Sequence, residues 1–408
     1  ERALFRQSTA ILKMGQIVED DLATCPSGRC AGQVLASMVP GQWHISWVRD
    51  AAYAIMGLAR ASHFPEARAA LEFMLNAQPR PAEDGVGNYY QEVFIESEDA
   101  TAGIWGLGVT LSADYLISVA RYFGRGLEES DGNAAGPNIE WDDWGLFLWA
   151  FADYVEAADD DAFLAAHWEA VSTRVANLLI DLVDPETGLL APDSSIWERH
   201  WCPHGQCDEP ETRKTHTYSC VVGAYGLERA SSLATRLGHD ELAATYQSAA
   251  ADLRAAVREH LVVEGVLAGN REEIPFPVYY LDVAAIEAIN TGLLHPGERL
   301  AHDTIAAFDQ HLAVGPHSPG YARNDDPTWY DAQEWVVMDL RVVSALSRMG
   351  QRNKARTLLD WITNQSRKNY DIIAELYTED GGAYEGAIPM VGFGPGAYIV
   401  ALHDIYGL

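Results

Sequence analysis

Apolar residues recur at intervals of three and four positions along most of this chain, the spacing that one face of an α-helix requires. The pattern is clear over 48–62 and 65–78, and Pro65 stands where a helix can begin. No run of alternating apolar and polar residues predicts a strand. We therefore expect about eleven or twelve helices. The remaining ones are predicted over 102–123, 144–158, 162–184, 217–237, 240–261, 279–292, 332–349, 352–366 and 396–406.

The segments that join the predicted helices alternate between short turns, such as 62–64, and long stretches rich in aromatic and polar residues. Long connections without secondary structure are usually functional in compact domains. In a closed ring of helical hairpins, one long connection per hairpin is expected if the functional residues all lie on the same rim. The long connections are 79–100, 124–143, 190–216, 312–331 and 367–395.

No linker rich in Pro, Gly or Ser interrupts the hairpins, so we expect one catalytic domain over residues 1–408. The predicted fold class is all-α, an (α/α)6 barrel with its active site in loops on one rim. An open helical solenoid is the alternative. It gives no reason for Trp, Asp and Glu in nearly every second loop.

The chain carries 59 acidic and 28 basic residues, for a net charge of -31. Such a surface repels phosphate backbones and anionic lipids, so we expect neither a nucleic-acid partner nor a membrane-surface role. Apolar residues make up 48% of the chain, which is typical of globular proteins. No apolar run approaches the roughly 18 residues that would span a bilayer. A neutral or cationic ligand fits this charge, and the sequence does not indicate an oligomeric state.

Four cysteines form two close pairs along the chain. Cys25 and Cys30 bracket Pro-Ser-Gly-Arg, and Cys202 and Cys207 bracket Pro-His-Gly-Gln. Each pair closes a small loop, which favours local disulfides in an oxidising compartment. We therefore expect a secreted or periplasmic protein whose signal peptide has been removed, with a cytoplasmic location as the alternative.

Two other readings of these cysteines stay open, free thiols and a zinc site. The zinc site would use His200 and His204, but the pairs are spaced more widely than the CxxC of structural zinc sites. The fifth cysteine, Cys220, lies in an apolar stretch and is expected to be a buried thiol. We expect no metal or organic cofactor.

Aromatic residues are frequent, with 12 Trp and 18 Tyr, and many lie in the long connections beside carboxylates. Aromatic faces pack on the CH faces of a pyranose while carboxylates bind its hydroxyls, so this combination favours a sugar site. The alternative is that these rings belong to the core. The residues concerned are Trp43, Trp47, Tyr89, Tyr90, Trp141, Trp197, Trp201, Trp329 and Tyr330.

Four segments combine such rings with charged residues: 43–50, 194–200, 321–335 and 374–396. Asp50 within the first segment can also be read as the N-cap of a helix. Glycoside hydrolysis needs one acid to protonate the leaving oxygen and a second carboxylate to activate water or attack carbon. The residues alone therefore indicate a helical enzyme that acts on carbohydrate.

In this order, the four segments resemble glycoside hydrolase family 15, the glucoamylase family. Residues 47–50 (Trp-Val-Arg-Asp) look like its Trp-x-Arg-Asp motif, and residues 196–198 (Ile-Trp-Glu) look like its Trp-Glu motif. Arg323 precedes Trp335 by twelve residues, as in the third motif of the family. Residues 375–377 (Glu-Leu-Tyr) are similar to its Glu-x-Tyr segment. The resemblance runs from about residue 34 to the C-terminus.

The resemblance implies an inverting, exo-acting hydrolase that releases β-glucose from the non-reducing end of α-glucans or α-gluco-oligosaccharides. Glu198 would be the general acid and Glu375 the general base. Arg49, Asp50 and Arg323 would hold the terminal glucose. The carboxyl groups of an inverting pair should lie about 6.5–9.5 Å apart.

Two departures from the family pattern leave the substrate linkage open. Trp43 stands where the family has a Tyr packed against the catalytic water. Arg199 and Ser195 stand where it tends to have an acid. The segment 138–145 sits where relatives carry a polar-x-Asp-x-x-Gly sequence. The remaining substrate-binding residues expected from the resemblance are Trp43, Trp47, Asp142, Trp197, Arg199, Trp335 and Tyr377.

Three alternative functions stay open at this point. Another inverting (α/α)6 enzyme would be a trehalase-type hydrolase or a disaccharide phosphorylase, and a phosphorylase would depend on phosphate. A sugar-binding relative without catalytic activity is the third, and any release of free glucose would exclude it.

Overall fold

The computed structural model describes most of the chain. The described residues are 1–19, 30–39, 41–77, 111–123, 126–129, 132–133, 136–199, 214–274, 280–326, 328–378, 382–386 and 389–407.

Helices account for most of the regular structure in these ranges, and the strands are only two or three residues long. The helices are α1 (Arg2–Met14), α2 (Val48–Arg60), α3 (Phe64–Asn76), α4 (Asp142–Ala158), α5 (Asp161–Val171), α6 (Asn177–Asp181), α7 (Thr217–Arg236), α8 (Asp240–His260), α9 (Glu287–Asn290), α10 (Arg299–His311), α11 (Val336–Arg348), α12 (Arg352–Lys368) and α13 (Phe393–Tyr406). The strands are β1 (Ser46–Trp47), β2 (Arg121–Phe123), β3 (Leu127–Glu129), β4 (Gly132–Asn133), β5 (Gly136–Pro137), β6 (Val262–Val263), β7 (Val266–Leu267), β8 (Glu334–Trp335), β9 (Leu376–Tyr377) and β10 (Tyr384–Glu385).

Within the described residues, six helical segments form a closed inner ring. Helix α2 packs on α4, α4 on α7, and α7 on the segment 283–290, which consists of a 3-10 turn followed by α9. That segment packs on α11, α11 on α13, and α13 returns to α2. The ring confirms the predicted (α/α)6 barrel and excludes the open solenoid.

A second layer of helices covers the ring from outside. Helices α3, α8 and α12 each pack on the inner helix that precedes them, and α5 continues through a π-helical turn into α6 beside α4. Helix α10 packs against strand β7. The outer partner of α13, the last inner helix, is α1 from the beginning of the chain.

Burial differs between the layers as their sequences require. Every residue of inner helix α2 except Arg60 is buried, because the helix has neighbours on all sides. Outer helix α8 buries a single stripe, including Ala243, Tyr246, Ala250 and Leu253, at spacings of three and four. An inner helix is therefore buried on nearly every side, whereas an outer helix is buried along one stripe. The stripe of the outer helices gives the spacing of three and four that predicts helices.

Glycines let neighbouring inner helices approach closely at two places. A Cβ on Gly396 of α13 would lie 2.5 Å from the carbonyl carbon of Tyr53 in α2. A Cβ on Gly145 of α4 would lie 2.5 Å from the carbonyl oxygen of Val222 in α7. Both contacts are with rigid backbone, so a side chain at either glycine would push two ring helices apart.

The helix predicted over 102–123 is wrong for the part that the structure describes. Residues 111–120 form turns and bends, and β2 follows them. The Glu128 carboxylate accepts hydrogen bonds from the Ser118 hydroxyl (2.8 Å) and the Val119 N–H (2.9 Å). Such side-chain bonds give the backbone an alternative to helix, which the apolar spacing alone does not reveal.

Other predicted boundaries need smaller corrections. The helix expected over 279–292 is a 3-10 turn, Val283–Ile286, followed by the short α9. The helix expected over 162–184 is α5, a π-helical turn over Ser172–Ala176, and α6. Helices α1 and α10 and the short strands were not predicted. No described helix is long and apolar enough to span a membrane.

Candidate active site

A cavity of about 250 Å³ opens at the N-terminal ends of inner helices α2, α11 and α13. This volume is close to the lower end of the range for small-molecule sites, roughly 300–1,000 Å³. Its walls combine aromatic rings with two arginines and three carboxylates. They consist of Ala36, Trp43, Trp47, Arg49, Asp50, Ile196, Trp197, Glu198, Arg323, Tyr330, Trp335, Val337, Glu375, Met390 and Phe393.

A short strand pair positions the first charged residues of the cavity. Strand β1 pairs with β2, with Trp47 opposite Arg121, and α2 begins at the next residue. Arg49 in the first turn of α2 forms a buried ion pair with Glu140, and its Nη2 lies 3.3 Å from Glu198 Oε1. Arg49 therefore bridges the loop before α4 and the loop that carries Glu198.

Asp50 lies beside Arg49 and is almost completely buried. Its pKa is raised to about 8, first by burial and then by Glu375 and Glu198, while Arg49 opposes the shift. The Oδ1 atom accepts no hydrogen bond from the described residues and is available to a ligand. A Cβ on Gly392 would lie 2.5 Å from this carboxylate, so the glycine allows the loop before α13 to approach it.

Glu198 lies in a tight turn that lines the cavity beside Arg49. Both Glu198 and Ser195 have φ of +53°, and the Glu198 N–H donates to the Ser195 carbonyl at 3.0 Å. Non-glycine residues adopt this left-handed conformation at a cost, and such strain is concentrated at functional sites. The side chain is 31% exposed, and Arg121 Nη1 lies 4.0 Å from its Oε2.

Glu375 immediately precedes β9, the middle strand of the sheet β10-β9-β8. Its carbonyl oxygen accepts a hydrogen bond from Val336 N–H at 3.2 Å, which ties it to the beginning of α11. Gly386, with φ of +77°, lies against its side chain. A Cβ there would lie 2.8 Å from the Glu375 Cβ and would collide with Oε2. Glycine is required at this position on both grounds.

Three aromatic rings surround Arg323 on the wall next to Glu375. Its Cζ lies 4.8 Å from the ring centroid of Tyr330, 4.9 Å from that of Trp197 and 5.4 Å from that of Trp335. Asp331 pairs with its Nε. Burial lowers the pKa of Arg323, although Asp331 opposes this effect. The guanidinium is thus fixed in orientation at the cavity wall.

Nine of the predicted site residues line this cavity together: Trp43, Trp47, Arg49, Asp50, Trp197, Glu198, Arg323, Trp335 and Glu375. Trp43 is the most exposed of the four tryptophans among them, at 43%. The buried indole N–H of Trp47 has no hydrogen-bond partner among the described residues, so it can donate to a ligand.

Three predicted site residues do not line the cavity. Asp142 is fully buried at the beginning of α4, and Tyr377 is fully buried in β9. Arg199 lines a smaller cavity next to the first one, where its Nη2 lies 3.9 Å from Asp331 Oδ1. Arg199 is therefore linked to the main site through Asp331, which pairs with Arg323.

Several residues at the site were not singled out from the sequence. Arg121 stacks on Trp47, with Cζ 4.9 Å from the ring centroid, and faces Glu198. Assigning 102–123 to a helix concealed it. Met390 and Phe393 reach the cavity from the segment that leads into α13. In a single sequence, an apolar residue next to glycines cannot be distinguished from a core residue, so these two were not predicted.

Cys30 is disulfide-bonded, and Cys220 is a buried free thiol whose pKa burial raises to about 12. The prediction for Cys220 is confirmed. Cys25, Cys202 and Cys207 lie outside the described residues, as do the predicted zinc alternatives His200 and His204.

Comparisons with known proteins agree with this arrangement. The sequence model of glycosyl hydrolases family 15 matches residues 21–273. Trehalase 2 of Sulfolobus acidocaldarius is 22% identical over 327 residues, which cover 77% of this chain and 48% of that protein. The chain therefore spans about half the length of this curated relative.

Solved structures share the architecture. A glycosidase variant in complex with glucose aligns with a TM-score of 0.72 at 18% identity, covering 98% of this chain and 96% of that chain. The glucoamylase from Saccharomycopsis fibuligera aligns with a TM-score of 0.67 at 13% identity, covering 99% and 95%. At these identities, the likeness shows the fold alone.

Proposed function

This chain belongs to glycosyl hydrolases family 15, and we propose that it is an inverting, exo-acting hydrolase of α-linked glucosides. The observation that carries the proposal is that Glu198 and Glu375, 177 positions apart in sequence, line the same small cavity. Inverting hydrolysis uses two carboxyl groups on opposite faces of the sugar.

In the proposed reaction, Glu198 protonates the glycosidic oxygen and Glu375 removes a proton from water. The water attacks the anomeric carbon from the opposite face, so an α-glucoside gives the β-anomer. The raised pKa of Tyr330, caused first by burial and then by Glu375 and Glu198, is consistent with two carboxylates that face one space.

Sugar binding is proposed for the groups that surround these carboxylates. Asp50 offers a buried oxygen acceptor, Trp47 offers a buried N–H, and Arg49 and Arg323 offer guanidinium donors. A terminal glucose held by such groups would expose only the bond to the next unit. This supports exo action and a product of one sugar at a time.

The test is a panel of α-linked glucose disaccharides, with proton NMR to record the anomer before mutarotation. We expect free glucose from at least one linkage, with the newly released glucose in the β form. Release of the α-anomer would make Glu375 a nucleophile and would contradict the inverting mechanism. No glucose from any substrate would favour a sugar-binding protein, and a requirement for phosphate would favour a phosphorylase.

A trehalase-type hydrolase is the second candidate. It is favoured by the similarity to Trehalase 2, which extends over 77% of this chain. Including trehalose in the panel separates the two activities. Preference for trehalose over the other disaccharides would establish this candidate, and preference for another linkage would exclude it.

The proposed compartment is oxidising, because Cys30 is disulfide-bonded. We propose that Cys25 is its partner and that Cys202 pairs with Cys207. The intact mass of the non-reduced protein should then be lower by two hydrogens for each disulfide. Equal masses before and after reduction would contradict both pairings.

A further inference from the structure

Behind Arg49, away from the cavity, three carboxylates meet. One oxygen each of Glu140, Asp142 and Asp143 lies within 4.8 Å of the other two. All three side chains are completely buried. Like charges at this separation repel strongly where water is excluded, so the cluster needs a positive partner or protons.

The hydrogen bonds around the cluster do not provide this partner. Both oxygens of Asp143 and both of Asp142 are buried and accept no hydrogen bond of normal geometry from the described residues. Asp193, which is also buried, leaves its Oδ1 unbonded. Its pKa is raised first by burial and then by Asp142, which places it next to the cluster.

A helix N-terminus is the ordinary partner for such acids, because its first N–H groups are free. Asp142 and Asp143 are the first two residues of α4. Their oxygens nevertheless accept no hydrogen bond of normal geometry from the described residues. The backbone N–H of Asp142 and the Ser219 hydroxyl lie near enough only to lower the pKa of Asp142. The helix end therefore leaves these buried acceptors unsatisfied, and an unsatisfied buried carboxylate requires another explanation.

Arg49 is a further candidate for the positive partner, but its charge is already shared. It pairs with Glu140 and with Glu198. The other oxygen of Glu140 accepts from Asn138 Nδ2 at 2.9 Å. Glu140 is thus satisfied by two protein donors, whereas Asp142 and Asp143 are not.

We propose that Glu140, Asp142 and Asp143 bind one divalent cation, and that the cation is Ca²⁺. Carboxylate oxygens are the ligands that hard cations prefer. Ca²⁺ takes oxygen ligands at about 2.3–2.6 Å in a flexible geometry, so three oxygens within 4.8 Å of one another can share it. Mg²⁺ demands near-ideal octahedral geometry and usually keeps several waters, so a fully buried set of carboxylates suits it less well.

The cation would fix the beginning of α4 to the segment that holds Arg49. Glu140 would contact both the metal and the guanidinium, so binding would brace one wall of the active site from behind. This role does not depend on which sugar is hydrolysed, and the proposal can fail or hold independently of the proposed function.

The test is thermal unfolding of protein treated with EDTA and exchanged into metal-free buffer at mildly alkaline pH, where protons do not compete. Ca²⁺ at about a hundredfold excess over its Kd should raise Tm by about 3–5 °C. K⁺ at matched ionic strength should leave Tm unchanged. Titration calorimetry should give one Ca²⁺ per chain, with weaker binding of Mg²⁺.

Asp143→Asn should abolish the Ca²⁺-dependent shift, while Asp159→Asn should retain it. Asp159 is the matched control because its side chain is 88% exposed and the substitution removes the same charge. If Asp143→Asn does not fold, Asp142→Asn provides the same comparison. Absence of Ca²⁺ binding to the wild type, or a shift that survives both cluster variants, would overturn the proposal and leave protons as the neutralising charge.

Discussion

The two walls of the cavity are built by different means. The wall that carries Glu198 is charged: Arg49 and Arg121 approach the carboxylate, and Glu140 stands behind Arg49. The wall that carries Glu375 is aromatic and close-packed, with Gly386 against the side chain. Ion pairs help to position the first carboxylate, and the close approach of Gly386 helps to position the second.

The difference parallels the extent of the family-model match, although short motifs that resemble the family also occur at 323–335 and 375–377. Residues 21–273, which the family model matches, include Glu198 but not Glu375. Ion pairs require particular residue types, so the charged wall carries recognisable motifs. A packed wall needs only a suitable fit between neighbours, and many sequences can provide it.

Replacing the carboxyls themselves should give the largest effect. Glu375→Gln should lower kcat by about 10²–10⁴-fold, because water would lose its base. Glu198→Gln should impair disaccharides most and activated aryl glucosides least, because only poor leaving groups need the proton. Steady-state kinetics of both variants on both substrate types measures the contrast. An equal loss on every leaving group would contradict the assignment of Glu198 as the acid.

Gly386→Ala tests whether shape positions Glu375. The new Cβ would displace the carboxylate, and a misplacement of about 1 Å can cost roughly 100-fold in rate. Gly350→Ala is the matched control, since Gly350 has φ of +74° and no atom within 4 Å. Both variants should lose stability, measured as Tm, but only Gly386→Ala should lose kcat. Equal kcat in the two variants would show that the contact is not needed.

Arg121→Gln tests the charged wall. It removes the guanidinium that faces Glu198 and stacks on Trp47, so we expect kcat to fall about 10-fold. The KM should change little, because Arg121 does not line the cavity. Arg174→Gln, which removes an exposed ion pair with Asp114, is the control. Arg121→Lys should recover only part of the rate, because lysine lacks the planar stacking surface. A pH–rate profile identical to the wild type would contradict an electrostatic role.

The smallest effect concerns the pH dependence of stability. Asp50 has a folded pKa of about 8 against roughly 3.9 when unfolded, so the folded state binds the proton more tightly. The free energy of unfolding should therefore fall as pH rises from about 4 to 8, relative to Asp50→Asn. Urea unfolding of both proteins across this window provides the measurement. If the free energies of unfolding of the two proteins changed in parallel with pH, the pKa of Asp50 would not be raised in the folded state.

Long helices with a regular apolar stripe were predicted within a few residues of their observed ends, as for α7 and α8. Helix α1 was missed because polar Ser8 and Thr9 occupy buried positions and interrupt its stripe. The error over 102–123 has the opposite origin, since apolar spacing was present but Glu128 bonds the backbone instead. Local pattern therefore fails where side chains and backbone compete for the same hydrogen bonds.

At the site, motif residues were found where a contact needs a particular side chain. Arg49, Glu198 and Arg323 are of this kind, and all three line the cavity. Asp142 and Tyr377 belong to the same motifs but lie behind the walls, because sequence distance does not tell which face of a segment points inward. Arg121 could be recognised as a site residue only once the pairing of β1 with β2 was known, because that pairing places it opposite Trp47.

The sixth hairpin of the ring pairs α1 with α13, the first and last helices described. The Tyr406 hydroxyl also donates to Glu1 Oε2 at 2.7 Å. Its contacts join residues up to 405 positions apart, so the loop-closure entropy that they cost is large. During synthesis the five earlier hairpins can assemble on the ribosome, whereas Phe393 and the last wall of the cavity arrive only with α13.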